Sequence, residues 1–88
     1  MMPMPRYHFH LDECGVRTCD DEGSDHATLN DARAVATTAA RAIMCEELKT
    51  GHLCLSCHID IADPEGTQLA RLQFADAVKL SGVPKATS

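Results

Sequence analysis

The chain has 88 residues and a formal charge of −5, which leaves room for one domain with a small core. Its eight Lys and Arg residues are scattered singly, so it lacks the basic cluster that duplex or membrane-surface binding uses. No apolar run approaches the roughly 20 residues that span a bilayer, and the opening Met1-Met2-Pro3-Met4-Pro5-Arg6 lacks a signal peptide's apolar stretch and cleavage site. The expectation is a cytosolic chain with no membrane and no nucleic-acid partner, whose five cysteines are free thiols or metal ligands.

Arg6 to Leu11 alternates, with Tyr7, Phe9 and Leu11 on one face and Arg6, His8 and His10 on the other, the pattern of a half-buried strand. Asp12-Glu13-Cys14-Gly15 reads as a turn, and Val16 to Asp20 as a weaker second strand completing a hairpin. Asp21 to Asp25 is a polar connector. Thr28 then caps a helix from Leu29 to Thr50, rich in alanine and free of Gly and Pro. Leu29, Ala32, Ala36, Ala40, Ile43, Met44 and Leu48 recur at helical spacing as its buried stripe. Gly51 is its left-handed stop. Ile59 and Ile61 alternate with His58, Asp60 and Ala62 in a third strand. Asp63-Pro64-Glu65-Gly66 is a turn, and Gln68 to Phe74 returns as a fourth strand with Ala70, Leu72 and Phe74 on one face. Ala75 to Leu80 reads as a short helix.

The fold expected is α+β: a single domain over 1–88, with flexible ends at 1–5 and 81–88. It is a small two-layer structure in ββαββ order, an antiparallel sheet of two hairpins with one long helix across one face. The uncovered face carries His8, His10, Asp60, Arg71 and Gln73. A small aliphatic core gains from oligomerisation, and that open face is where a second copy would pair.

Met4-Pro5-Arg6-Tyr7-His8-Phe9-His10-Leu11 resembles the MPRYxFH opening of a family of short uncharacterised bacterial proteins, abundant in alphaproteobacteria. Asp21-Glu22-Gly23, Leu29 with Ala32-Arg33-Ala34, Glu47-Leu48, Ile59-Asp60-Ile61-Ala62-Asp63 with Gly66, and Phe74-Ala75-Asp76-Ala77-Val78 are similar to later parts of it. The resemblance covers nearly the whole chain and implies a fold and a bacterial origin, with no activity to transfer. It does not extend to Leu53 to His58, where the family has an Asp- and Gly-rich stretch.

That stretch holds the segment with the most chemistry, Cys54-Leu55-Ser56-Cys57-His58. Its spacing is that of c-type haem attachment, which would make the chain an electron carrier, but attachment follows export and the opening carries no export signal. Zinc is the better chemical alternative, because Cys54 and Cys57 have the spacing of half a zinc site. Cys14 and Cys19 offer the other half only if their hairpin approaches, and His58 or His52 could replace one thiolate. Strand residues five apart point to opposite faces unless the chain turns between them. The bland alternative is that the cysteines are small semi-buried side chains, and Cys45 stands in for an alanine on the helix. His8 and His10 share one strand face and read as its wet side rather than a metal pair. Asp20, Asp21 and Glu22 lack calcium-loop spacing. No nucleophile elbow, phosphate-binding loop, zinc-protease motif or dinucleotide fingerprint occurs, so no catalytic residue is expected. The leading expectation is a non-enzymatic module that acts by protein association and self-pairs. The alternative is a zinc-binding accessory domain using Cys54 and Cys57 with Cys14 and Cys19.

Overall fold

The computed structural model describes residues 4–82. Five strands, one helix and one 3₁₀ turn follow in order: β1 (Arg6–Glu13), β2 (Val16–Thr18), β3 (Ser24–Asp25), α1 (Leu29–Lys49), β4 (His58–Ala62), β5 (Gln68–Gln73) and the turn at Phe74–Asp76. The sheet is antiparallel, in the order β2-β1-β4-β5, with β3 also paired to β1. The α+β architecture with one helix over one face is therefore present. The connector expected at 21–25 contributes a short strand, and the short helix expected from Ala75 is only a 3₁₀ turn. Of the loose ends expected at 1–5 and 81–88, residues 1–3 and 83–88 lie outside the described residues. The carbonyl of Pro5 accepts a hydrogen bond from the His26 amide at 3.0 Å.

Strand β1 sits at the centre of the sheet because both of its edges are used. On one edge it pairs with β4, from His8 opposite Ala62 to Asp12 opposite His58. On the other, β2 and β3 act as one interrupted strand whose register slips by two residues between the Leu11–Thr18 and Tyr7–Ser24 pairs. Asp20 fills this gap: its carboxylate accepts the Phe9 and Gly23 amides at 3.1 and 3.0 Å, so the backbone donor that the slip leaves without a ladder partner is still satisfied. Gly23 has a φ of +71°, and a Cβ there would lie 2.9 Å from the Tyr7 carbonyl oxygen, so only glycine fits the return.

The inner face is aliphatic. Tyr7, Ile59, Ile61 and Phe74 are buried with Ala32, Ala36, Ala40 and Met44 of α1. Fully burying a side chain such as Ile61 or Phe74 contributes roughly 1.5–3 kcal/mol. The alanines at every fourth position let α1 lie close to β4 and β5. The helix begins as expected, with Thr28 Oγ1 accepting the Asp31 amide at 3.1 Å. It ends in a Schellman arrangement: the Gly51 amide donates to Leu48 O and the His52 amide to Glu47 O, with Gly51 at φ +83°. Leu48, expected on the buried stripe, is 60% exposed, because a four-residue spacing drifts around a 3.6-residue helix and by the last turn Glu47 rather than Leu48 faces inward.

On the outer face, Asp60 is a buried carboxylate, 2% exposed. Arg71 donates to it through Nε at 2.7 Å and Nη2 at 3.2 Å, and Arg17 through Nη1 at 3.1 Å. Burial alone would raise its pKa, but the hydrogen bonds from Arg71 and then Arg17 outweigh burial and hold it below the usual carboxylate range. Arg17 also pairs with Asp12. The placement of His8, His10, Asp60, Arg71 and Gln73 on this face follows from the alternation, but the charged groups among them are engaged within the chain.

Candidate thiol site

Sheet register explains why distant cysteines meet. The β1–β4 ladder ends with Asp12 opposite His58. Continued outward, it brings the hairpin turn at Cys14 beside the Ser56–Cys57 end of the loop before β4. That loop bends at Leu55–Ser56, so Cys54 and Cys57 face each other with Sγ atoms 2.8 Å apart. The Sγ of Cys14 joins them: all three sulfurs lie within 4.8 Å of one another.

Cys14 reaches the cluster from an unusual backbone. It is the first residue of a two-residue hairpin loop, at φ +49°, followed by Gly15 at φ +82°. Such loops favour Asn or Asp at this position, and a left-handed cysteine is held there at a cost of about 1–2 kcal/mol. The cost falls on the residue that completes the cluster.

The three thiols differ in environment. Cys57 is 2% exposed and part of the aliphatic core, and its carbonyl accepts the Phe74 amide at 2.9 Å. Burial, then its hydrogen bond to Cys54, pushes its thiol up to about 12. Cys54 is half-buried and receives the opposite effect: hydrogen bonds from the Cys57 thiol and then from Ser56, whose Oγ lies 3.3 Å away, lower it to about 7. The Cys14 thiol is raised, first by its hydrogen bond with Cys54. The corner therefore favours one thiolate, centred on Cys54, stabilised by two neighbouring thiols.

Of the residues singled out in the sequence, Cys14, Cys54 and Cys57 converge. Cys19 does not: it lies beyond the end of β2, exposed, and outside the cluster. His58 does not either. Strand alternation sends Cys57 to the inner face and His58 to the outer one, where its Nε2 is 3.0 Å from Asp12 Oδ2 and 3.7 Å from Asp60 Oδ2. The same separation removes the geometric basis of a haem reading, which needs Cys57 and His58 to serve one group. Cys45 is exposed on α1. His52, the other imidazole considered, stands 3.6 Å from Glu47.

Two features were missed in the sequence. Glu47, near the end of α1, has its Oε1 buried without a hydrogen-bond partner, and its charge contributes to the raised Cys14 thiol. A lone acid on a helix surface gives no periodic signal of this. The second is Asp20, whose carbonyl accepts from His8 Nδ1 at 2.7 Å while its amide donates to His10 Nδ1 at 3.1 Å. One residue thereby holds both stacked imidazoles, accepting from Nδ1 of His8 and donating to Nδ1 of His10. The pair lines a pocket of about 220 Å³ with Asp21, Asp63, Pro64 and Gly66.

A family model described as "Domain of unknown function (DUF6894)" matches residues 6–75, which contain all three converging cysteines. The chain belongs to this family. No curated protein and no solved structure matches it. Among the described residues, no helix is long and apolar enough to cross a membrane.

Proposed function

We propose that the chain is an accessory domain that holds a thiophilic cation, zinc first among them, at Cys14, Cys54 and Cys57. The observation that carries this reading is the convergence of three sulfurs from two distant parts of the chain. A tetrahedral zinc site with Zn–S bonds of about 2.3 Å has S···S edges of about 3.8 Å. Distances of 2.8 Å and up to 4.8 Å bracket that value, so small side-chain rotations reach it. Zinc thiolate sites need deprotonated sulfur, and Cys54 starts nearest to it. Three protein ligands leave a fourth position. Glu47, whose Oε1 is buried without a hydrogen-bond partner, whose Oε2 lies 3.6 Å from His52 and whose charge acts on Cys14, is the oxygen donor we assign to it.

Metal analysis of protein purified without chelator tests the reading. About one zinc per chain is expected, and below roughly 0.1 the idea fails, given the tight affinity of structural sites. Reduced, metal-free protein titrated with Co²⁺ should develop thiolate-to-metal absorption that Cys14→Ser weakens and Cys54→Ser removes.

A second reading, of a self-associating bacterial cytosolic module, draws on a different observation. The outer side of α1 exposes Ala34, Val35, Thr38, Ala39 and Ala42 together, with Val35 44% exposed. The polar sheet face is the weaker docking surface, because Asp60, Arg71, His8 and His10 already have partners in the chain. Sedimentation giving a clean monomer at micromolar concentration removes the self-association claim.

A further inference from the structure

We propose that Cys54 and Cys57 form a dithiol–disulfide exchange pair, with Cys54 the attacking sulfur, Cys57 the resolving sulfur, and a small disulfide of the glutathione class as the oxidising partner. The inference uses two of the three sulfurs of the metal reading but needs no ion, so either can fail without the other. Three observations support it. The two sulfurs are 2.8 Å apart, closer than the edge of a zinc–thiolate tetrahedron (about 3.8 Å) and approaching the covalent separation of about 2.05 Å. Their exposures differ in the way exchange requires: Cys54 is half-buried and reachable, whereas Cys57 is 2% exposed and shielded from an outside disulfide. Ser56 Oγ lies 3.3 Å from the Cys54 sulfur, where its hydroxyl can donate to a thiolate.

The chemistry balances with the disulfide as the only co-reactant. The Cys54 thiolate attacks one sulfur of oxidised glutathione. The glutathione S–S bond breaks, a mixed disulfide forms on Cys54, and the first glutathione leaves as a thiolate that takes up a proton. Cys57 then loses its proton to solvent and attacks the Cys54 sulfur. The mixed disulfide breaks, the Cys54–Cys57 bond forms, and the second glutathione leaves. Two electrons pass from the cysteine pair to glutathione. Cys14, within 4.8 Å of both, is expected to remain a thiol because Cys54 and Cys57 are joined by a two-residue bend with their sulfurs already 2.8 Å apart.

The test uses the full chain, reduced and treated with chelator, equilibrated with oxidised glutathione, quenched by alkylation and weighed. The expected product has lost two hydrogens, carries no glutathione, and has a disulfide mapped to Cys54–Cys57 with Cys14, Cys19 and Cys45 still alkylatable. Cys57→Ser should trap one glutathione on Cys54 that a reducing agent removes, and Cys57→Ala should do the same if serine disturbs the core. Cys54→Ser should take up at least tenfold less glutathione at the site. A wild-type chain that keeps both thiols alkylatable, that holds glutathione on Cys54 without resolving it, or that joins Cys14 to Cys54 overturns the proposal. These readouts come from wild-type mass as well as from variants, so a variant that fails to fold does not decide them.

Discussion

Among the described residues, two clusters have the composition of a metal site, and they differ in what already surrounds them. Asp12, His58 and Asp60 gather on the outer sheet face, and Cys14, Cys54 and Cys57 gather at the end of the β1–β4 ladder. In the first, Arg71 and Arg17 occupy both carboxylate oxygens of Asp60, and His58 and Arg17 meet Asp12 at its Oδ2. Its charge is balanced inside the fold. In the second no cation is present among the described residues within hydrogen-bond reach, and a buried carboxylate oxygen nearby has no partner. Spacing and residue type alone do not separate the two. Whether the negative charge is already compensated does, because a buried ionic group with satisfied partners has nothing left to give a ligand.

The largest effect expected from this contrast is on metal content. Cys54→Ser should reduce bound zinc from about one per chain to below about 0.1, while Asp60→Asn leaves it unchanged; equal losses in both would erase the distinction. The next is on stability. Arg71→Ala leaves the Asp60 carboxylate buried with one arginine instead of two. It should lower the urea midpoint of unfolding, by less than the loss of a fully buried pair would because the Arg71 side chain is nearly half in water. Cys54→Ser in metal-free protein should cost under about 0.5 kcal/mol.

Acid should act on the first cluster and on Asp20 at the β1 edge. Asp60 and Asp20 both have lowered pKa values. For Asp20 burial opposes the shift, and the Phe9 and Gly23 amides outweigh it. A lowered folded-state value means stability that is fully present above the unfolded pKa of about 3.9 and is lost as pH falls through that value toward the lower folded ones. The unfolding free energy of metal-free protein should therefore be flat near pH 6 and fall below about pH 4.5, with a shallower fall in Asp60→Asn. A smaller effect is a severalfold loss of zinc affinity in Glu47→Gln, read by chelator competition. The smallest concerns His58: His58→Gln should leave metal stoichiometry intact and change stability by less than about 1 kcal/mol, whereas loss of metal would return the imidazole to the ligand set.

Much of the fold could be read from periodicity. Tyr7, Phe9 and Leu11 face inward with Ile59 and Ile61, and the alanine stripe of α1 packs over them, because alternation and helical spacing are local properties. The interrupted edge strand could not be read. Asp20 replaces a ladder bond with its carboxylate, and only the two-residue slip in register reveals the need for it. The thiol site was half legible. Cys54 and Cys57 declare themselves by spacing, but the third member depends on β1 lying next to β4, which no local pattern encodes. Cys19 looked like the natural companion of Cys14 by proximity in the chain, yet the tight turn at Cys14-Gly15 and the short β2 carry it away. His58 was drawn in by adjacency to Cys57 and excluded by the alternation that makes adjacent strand residues face opposite ways.

The position of Cys14 on one strand end and of Cys54 and Cys57 beside another has a consequence for folding. An ion or a ligand that bridges them closes a loop of about 40 residues, containing all of α1. The unfolded chain has no such site, so whatever occupies it acts as a clasp on the β1–β4 pairing. At a hundredfold excess over its dissociation constant it would add about 2.7 kcal/mol by mass action, a large supplement for a core in which alanine is the commonest residue. Non-local pairing of this kind is also the slow step of small sheet proteins, so a clasp that forms only after β1 finds β4 should slow unfolding more than it speeds folding.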